Sequence, residues 1–197
     1  MQFTHMFSYP ENQTTYFAFT YPFSYEDSLK LTDDIQKRMQ TQSNAYFNRE
    51  ILYYSLEGRA MELLTISSRD QITDEHETIP ADSNGLLPMA ELDPTSRPLR
   101  FRKEKPVIFL TSRVHPGETP GSHVLNGFLD ILADCRNDQG RLLRKNFVFK
   151  VIMILNPDGV SRGYYRLDTM ACNLNRMYLT PSKLDNPTIW AARKVVV

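Results

Sequence analysis

The sequence is short of several features, and each shortage excludes a class of protein. Only two cysteines, Cys135 and Cys172, occur among 197 residues, and they stand far apart. That is no disulfide framework and it favours a reducing compartment, although a single bridge stays open. No apolar run approaches the roughly 18 residues of a membrane-spanning helix. The first residues, MQFTHMFSYPENQ, lack the pattern of a signal peptide, so the expected location is the cytoplasm.

An excess of one charge is also missing. Lysine plus arginine and aspartate plus glutamate number 23 each, so the formal net charge is zero and the pI is near 6.9. A balanced protein has no overall field to attract nucleic acid or an anionic membrane, so neither partner is expected. None of the eight glycines is followed by lysine. The phosphate-binding loop Gly-x-x-x-x-Gly-Lys-Ser/Thr is therefore absent, and no nucleotide is expected.

The first part of the chain alternates strand and helix signals. Aromatic and β-branched residues over Thr14–Phe23 predict a strand, which has the character of the last strand of a preceding β-structure. Ser24 and Asp27 approximate a capping box, and apolar residues at i+4 spacing predict a helix from about Tyr25 to Gln40. Two β-rich runs, 50–57 and 60–67, then predict a hairpin.

A polar segment with several prolines, residues 69–103, predicts an extended loop. Its end is basic, which suits an acidic partner or simply a solvated margin. The residues concerned are Arg97, Arg100, Arg102, Lys103 and Lys105.

The most informative stretch is KPVIFLTSRVHPGE, which ends at Glu118. Val107–Leu110 is a short apolar run typical of a buried parallel strand, and ligand sites lie at the carboxyl ends of such strands. His115 and Glu118 follow on a turn that Pro116 and Gly117 restrict and shape. An imidazole and a carboxylate at this spacing suit Zn²⁺. Alone, the spacing is also compatible with a solvated surface turn.

Downstream patterns predict more α/β structure. Thr119 as a cap and Pro120 at the first helical position predict a helix that ends near Cys135. Residues 138–145 predict a short helix, and the apolar run 147–155 predicts a central strand that Asn-Pro-Asp-Gly stops. A polar loop rich in Arg, Asn and Tyr follows, and a last helix begins near residue 186.

Three motifs occur in a characteristic order: TSRVHPGETPGSHVLNGFLD, then LNPDGVSRGYYR, then NLNR. In this combination the chain resembles the zinc metallocarboxypeptidases, and specifically the cytosolic carboxypeptidases that trim glutamates from tubulin tails. The resemblance covers about residues 14–197. It implies an α/β fold with an incomplete metallocarboxypeptidase-type mixed sheet and flanking helices. It also implies a remnant β-strand of an N-terminal β-sandwich over 1–23, and the N-terminal half of the catalytic domain over 24–197.

The resemblance implies a role for five residues. His115 and Glu118 would be zinc ligands, Arg166 would stabilise the oxyanion, and Asn175 with Arg176 would hold the terminal carboxylate of the substrate. It likewise implies Zn²⁺ as cofactor and glutamylated protein tails, such as those of tubulin, as partners. The implied location is the cytoplasm, with microtubules and the nucleus as further places.

The chain departs from the family in two respects. A catalytic zinc site needs three protein ligands, and the third histidine and the general-base glutamate have no counterpart, so the chain resembles a fragment that is inactive by truncation. Asn173 stands where many relatives have an aspartate, and it would raise the basicity of the ligating imidazole less.

Two other functions share part of this residue set. A non-catalytic module would bind acidic tails through Arg166, Arg176 and the basic loop. A zinc deacylase would share His115 and Glu118 but would not need a carboxylate anchor such as Asn175.

Overall fold

The structure, a computed structural model, describes residues 2–7, 12–78 and 96–196. The helices are α1 (Tyr25–Gln40), α2 (Thr119–Ala133), α3 (Asp138–Asn146), α4 (Pro157–Ser161) and α5 (Pro187–Val196), with a 3₁₀ turn at Leu174–Arg176. The strands are β1 (Ala45–Tyr54), β2 (Ala60–Ser68), β3 (Ile72–His76), β4 (Leu99–Phe101), β5 (Val107–Thr111) and β6 (Val148–Ile152).

Four strands form a mixed sheet in the order β1-β2-β6-β5. The β1–β2 hairpin and the β2–β6 pair are antiparallel, while β5 and β6 run parallel with Val107 opposite Val148. Strands β3 and β4 form a separate antiparallel pair. The predicted α/β fold with a mixed sheet and flanking helices is confirmed.

Helix α1 begins where the sequence predicts. Ser24 Oγ accepts the Asp27 N–H and the Asp27 carboxylate accepts the Ser24 N–H, each at 3.0 Å, which completes a capping box. Ile35 and Met39, one turn apart, are fully buried against the sheet. The helix is therefore held by its cap and by one apolar stripe.

Alternation along β6 divides the core between the two faces of the sheet. Phe149 and Val151 pack with the apolar stripes of α1 and α2 on one face. Ile152 packs on the other face with Trp190 of α5 and with β1 and β2 residues. Strand β5 lies at the edge of the described sheet, and Val107 is 60% exposed there.

Three local predictions are wrong. No strand forms over Thr14–Phe23, because within the described residues its backbone has no neighbouring strand to pair with; the Phe17 ring contacts Phe3, His5 and Phe7 instead. The segment predicted as one long loop, 69–103, contains β3 and β4 near its two ends, and its middle lies outside the described residues.

The third wrong prediction concerns the start of α2. The N-cap residue is Glu118 rather than Thr119, and its side chain makes no capping hydrogen bond. The Glu118 carboxylate points elsewhere, as the site geometry explains. Pro120 stands in the first turn, at the second helical position and not at the predicted first.

None of the helices in the described part of the chain has the length and apolar character needed to cross a bilayer.

Candidate metal centre

Two strand ends bring the candidate residues to one edge of the sheet. Beyond β5 and β6 the chain stays paired: Ser112 N–H donates to Ile152 O, and Asn156 N–H donates to Arg113 O. The turn His115–Glu118 therefore lies next to the turn that begins at Asn156. This is the carboxyl end of the only parallel pair in the described sheet, the place where ligand sites form in such sheets.

The His115 imidazole lies between Glu118 and Asn173. Its Nδ1 is 2.9 Å from Glu118 Oε1, and its Nε2 is 3.1 Å from Asn173 Oδ1. His115 is only 5% exposed, while the Glu118 side chain is 56% exposed. The turn thus places both predicted ligands on one side, one buried and one open to solvent.

The tautomer of His115 follows from its neighbours. Asn173 Oδ1 also accepts the backbone N–H of Asn175 at 3.1 Å, so this atom is the amide oxygen and only accepts. Nε2 of His115 must therefore carry a proton, and in the neutral ring the Nδ1 lone pair faces the Glu118 carboxylate. Two acceptors at 2.9 Å repel unless a proton or a cation lies between them. The donor chemistry fits half of a zinc site.

Arg166 approaches the same carboxylate. Its Nη1 is 4.0 Å from Glu118 Oε1, and its side chain is 43% exposed. The loop that carries Arg166 is docked on the turn His115–Glu118, which we call the metal turn. The contact is a hydrogen bond of 2.8 Å from Gly117 N–H to Tyr165 O. The buried Asn156 donates from Nδ2 to Leu167 O at 3.3 Å. Hydrogen bonds on both sides of Arg166 thus determine its position.

Two glycines permit this docking. A Cβ on Gly117 would lie 2.6 Å from Tyr165 Cδ2 and 2.9 Å from its carbonyl oxygen. A Cβ on Gly159 would lie 2.4 Å from Pro116 Cγ. Each glycine therefore serves close approach, of the Arg166 loop in one case and of the metal turn in the other.

The buried Asp168 shapes the loop between Arg166 and Asn173. Its Oδ1 accepts the backbone N–H groups of Met170 and Cys172 at 2.9 and 2.7 Å. This carboxylate closes a tight turn that returns the chain to His115. Sequence analysis did not single out Asp168 or Asn156, although the Asn-Pro-Asp-Gly motif contains the latter.

Asn175 and Arg176 lie in the 3₁₀ turn directly after Asn173. Arg176 is exposed, and its Nη1 donates to the Asn175 carbonyl at 3.0 Å. The turn is tied to His115 through Asn173, so four of the five predicted site residues lie in two short segments that meet at one imidazole. Arg166 approaches Glu118 from the loop between these segments. Their roles as ligands, oxyanion donor and carboxylate anchor stay predictions.

Beside Glu118 opens a cleft of about 740 Å³. Its lining includes Phe19, Arg113, Gly117 and Tyr165. A cleft of this volume is in the range of small-molecule and peptide sites.

Arg113, which sequence analysis also passed over, is buried under the turn with 6% exposure. Burial lowers the pKa of its guanidinium to about 10. Its partners are carbonyl and hydroxyl oxygens rather than a carboxylate.

The ligand set is incomplete among the described residues. No group of three or more histidine, cysteine, aspartate or glutamate side chains within 2–7, 12–78 and 96–196 is placed to hold a metal ion. The assignment of His115 and Glu118 as ligands stays a prediction.

The basic end of the predicted loop is not an open cationic surface. Arg97 and Lys105 are buried, with 8% and 4% exposure, and both are engaged with nearby carboxylates or backbone oxygens. Arg100 lies 3.3 Å from Glu75. The proposed contact of this segment with an acidic partner is therefore left with the exposed cations at positions 100, 102 and 103, of which Arg100 already has Glu75 as a partner.

Comparison with known proteins agrees with this geometry. The family model described as zinc carboxypeptidase matches residues 32–183. The chain belongs to the zinc carboxypeptidase family.

Among curated relatives of this family member, cytosolic carboxypeptidase-like protein 5 of Rattus norvegicus is 42% identical over 205 residues, 100% of this chain and 24% of the relative. The human protein of the same name is 42% identical and is covered to 22%. Cytosolic carboxypeptidase 6 of Mus musculus is 35% identical over 95% of this chain and 29% of the relative. The chain thus spans about a quarter of the length of these relatives.

Solved structures show the same fold. A protein described as a carboxypeptidase A from Shewanella denitrificans matches with a TM-score of 0.66 and 26% identity, over 89% of this chain and 36% of that chain. A metallo-carboxypeptidase from Burkholderia cenocepacia matches with a TM-score of 0.63 over 89% and 38%.

Proposed function

We propose that this family member carries the zinc-binding turn of a cytoplasmic zinc carboxypeptidase. Such an enzyme removes C-terminal or branch glutamates from polyglutamylated proteins such as tubulin. The observation that carries the proposal is the facing pair of His115 Nδ1 and Glu118 Oε1 at 2.9 Å beside Arg166. The names of the cytosolic relatives support the location. Microtubules and the nucleus are further places where such substrates would be met.

The residues of the site divide the work of amide hydrolysis. His115 and Glu118 hold the zinc ion, and Asn173 orients the imidazole through its Nε2 proton. A zinc ion held there would supply Lewis-acid chemistry to the scissile carbonyl and to a water molecule. Arg166 donates to the oxygen on which negative charge develops in the transition state.

Asn175 and Arg176 select a chain end. A guanidinium offers a planar set of donors that fits a carboxylate, and the amide of Asn175 adds one more donor beside it. Exposure of Arg176 in the structure leaves its guanidinium open to a substrate terminus. A free terminal carboxylate is therefore required, and a substrate with an amidated terminus is rejected.

Two protein ligands hold zinc weakly, and none of the described residues is assigned as a general base. We therefore expect the 197-residue chain to bind zinc and glutamate-terminated peptides without releasing glutamate. Release would need a third ligand and a general base in addition to these residues.

The test measures zinc binding by calorimetry and glutamate release by mass spectrometry, with a peptide that ends in several glutamates. His115→Asn and Glu118→Gln should each abolish zinc binding, whereas the control His123→Asn, an exposed histidine on α2, should leave it unchanged. Zinc binding that survives both ligand variants would refute the metal site.

Peptide binding separates the other functions. Binding that is lost on chelation, on terminal amidation and in Arg176→Met supports the carboxypeptidase. Chelator-insensitive binding would support the non-catalytic module, and equal binding of the amidated peptide would support a deacylase. The module has less support in the structure, because Arg97 and Lys105 of its basic segment are buried.

A further inference from the structure

The peptide unit at the centre of the metal turn is held at both ends. The Gly117 N–H of the Pro116–Gly117 peptide donates to Tyr165 O at 2.8 Å. The Pro116 carbonyl of the same peptide accepts from Arg113, both from Nε at 2.8 Å and from Nη2. This plane lies between His115 and Glu118, so its rotation would change the direction in which both side chains project.

Arg113 also joins the turn to two other elements. Its Nη1 donates to Phe23 O, in the segment before α1, at 2.9 Å and to Ser122 Oγ of α2 at 3.0 Å. The backbone of Arg113 is itself in the left-handed region, with φ of 56°, which a non-glycine residue adopts rarely. A strained backbone that delivers a buried cation to three acceptors is typical of a position that the surrounding structure determines.

The Arg113 guanidinium is unusual because it is buried without a carboxylate among its hydrogen-bond partners. A buried cation normally has a carboxylate partner, but the side-chain hydrogen bonds of Arg113 go to two carbonyl groups and one hydroxyl. Among the described residues, no carboxylate forms an ion pair with this charge beside the Glu118 turn. The cost of burying it is offset by hydrogen bonds that each act on backbone or helix atoms near the predicted ligands.

We infer that Arg113 is a positioning residue for the metal centre: it holds the Pro116–Gly117 peptide plane and thereby sets the approach of His115 to Glu118. The inference rests on the proposed zinc site. Through Phe23 the same side chain couples the segment ahead of α1 to the ligands.

The fold provides a matched control in Arg144, which is 5% exposed. It too donates to a backbone carbonyl, that of Leu132, and to the amide oxygen of Gln42, without a carboxylate among these partners. It lies at the junction of α1, α2 and α3, away from the metal turn. Arg113→Met and Arg144→Met each remove one buried guanidinium of the same kind.

The experiment compares the two variants with the wild-type chain in three measurements. Urea unfolding reports stability, a Zn²⁺ titration followed by the imidazole NMR signals of His115 reports Kd, and hydrogen exchange without metal reports the Gly117 amide. We expect both variants to lose stability. Only Arg113→Met should raise the zinc Kd, by about 10-fold or more, as for other residues that orient a metal ligand. Only this variant should speed Gly117 exchange beyond what its stability loss explains.

Equal zinc Kd values and equal Gly117 protection in the two variants, at matched stability, would show that Arg113 acts only in packing and would overturn the inference. If Arg113→Met does not fold, Arg113→Lys and Ser122→Ala give the same comparison. The first removes part of the donor set, the second removes one acceptor, and both retain the buried charge. Failure of the wild-type chain to bind zinc would count against the proposed function, and Gly117 exchange would still decide the role of Arg113.

Discussion

Two buried polar regions lie on this sheet, and they differ in how their charges are balanced. On the face away from α1, Lys150 Nζ donates to Glu77 Oε2 at 2.6 Å and Arg97 Nη1 lies 2.5 Å from Glu50 Oε2. The charges of these two cations and two carboxylates balance one another, and we call the four residues the ion cluster. At the carboxyl end of β5, His115 Nδ1 and Glu118 Oε1 face each other at 2.9 Å, and the Arg166 guanidinium is 4.0 Å from that carboxylate oxygen.

This difference in charge balance distinguishes a structural cluster from a candidate metal-binding site. The ion cluster needs no bound ligand, because each of its charges has a partner of opposite charge within the chain. The metal turn places an imidazole nitrogen against a carboxylate, two groups that a cation such as Zn²⁺ would bridge. A buried polar group is therefore informative about function when its neighbours leave its charge or lone pair unmatched.

Breaking the ion cluster should have the largest effect on stability. Arg97→Met leaves the Glu50 carboxylate, whose side chain is 4% exposed, without its partner and should cost about 3–5 kcal/mol of unfolding free energy. The exposed pair Arg100–Glu75 is the control, and Arg100→Met should cost about 1 kcal/mol or less. Urea unfolding measures both. Equal losses would mean that the cluster is not a buried, self-balanced unit.

Breaking the docking at the metal turn should have an intermediate effect. Gly117→Ala places a Cβ 2.6 Å from Tyr165 Cδ2, and overpacking of this kind costs about 1–3 kcal/mol. Gly127→Ala, in α2 with nothing within 4 Å, should stabilise by about 0.5–1 kcal/mol. Thermal and urea unfolding compare the two. A neutral Gly117→Ala would show that the Arg166 loop does not need this close approach.

A third variant adds a negative charge beside His115 and leaves the ion cluster unchanged. Asn173→Asp supplies a carboxylate to the Nε2 proton of His115 and raises the basicity of Nδ1. The zinc Kd should fall by up to about 10-fold, equivalent to about 1.4 kcal/mol, with little change in unfolding free energy. Titration with Zn²⁺ measures the effect. An unchanged Kd would argue against ligation through Nδ1.

The smallest expected effect is a pH dependence of the ion cluster. Burial raises the pKa of the Glu50 carboxyl above its usual value of 4.5, although Arg97 and Lys150 act in the opposite direction. The folded state therefore binds this proton more tightly than the unfolded state, so the contribution of Glu50 to stability falls as pH rises from 4.5 through the folded pKa. Glu50→Gln removes this titration.

Unfolding free energies of the wild type and Glu50→Gln, measured from pH 4 to 8, should therefore shift in favour of the variant as pH rises. A shift in the other direction would mean that the ion pairs outweigh burial. The zinc Kd should be the same in both chains, since Glu50 lies in the cluster and not at the metal turn.

Local patterns predicted much of the fold. The Ser24–Asp27 capping box, the i+4 spacing of Ile35 and Met39 and the apolar run on β6 each depend on neighbours in sequence, and the structure confirms the elements they predict. The predicted strand over 14–23 failed for the converse reason. Strand formation depends on a partner that the residues of the segment cannot provide.

The candidate site, like the fold, was predictable from the sequence only in part. The spacing of His115 and Glu118, with Pro116 and Gly117 between them, was sufficient to place both side chains on one side of a turn after a parallel strand. The sequence by itself therefore identified the candidate ligand pair and determined the family.

Tertiary structure alone decided what holds that pair. Arg113 acts on a carbonyl three residues away and on Phe23, and Asn156 reaches Leu167 on another loop. It also decided that Arg97 and Lys105, which the sequence placed in a solvated basic segment, are buried. These contacts depend on which backbone atoms of distant segments meet, and no residue type or spacing encodes that meeting.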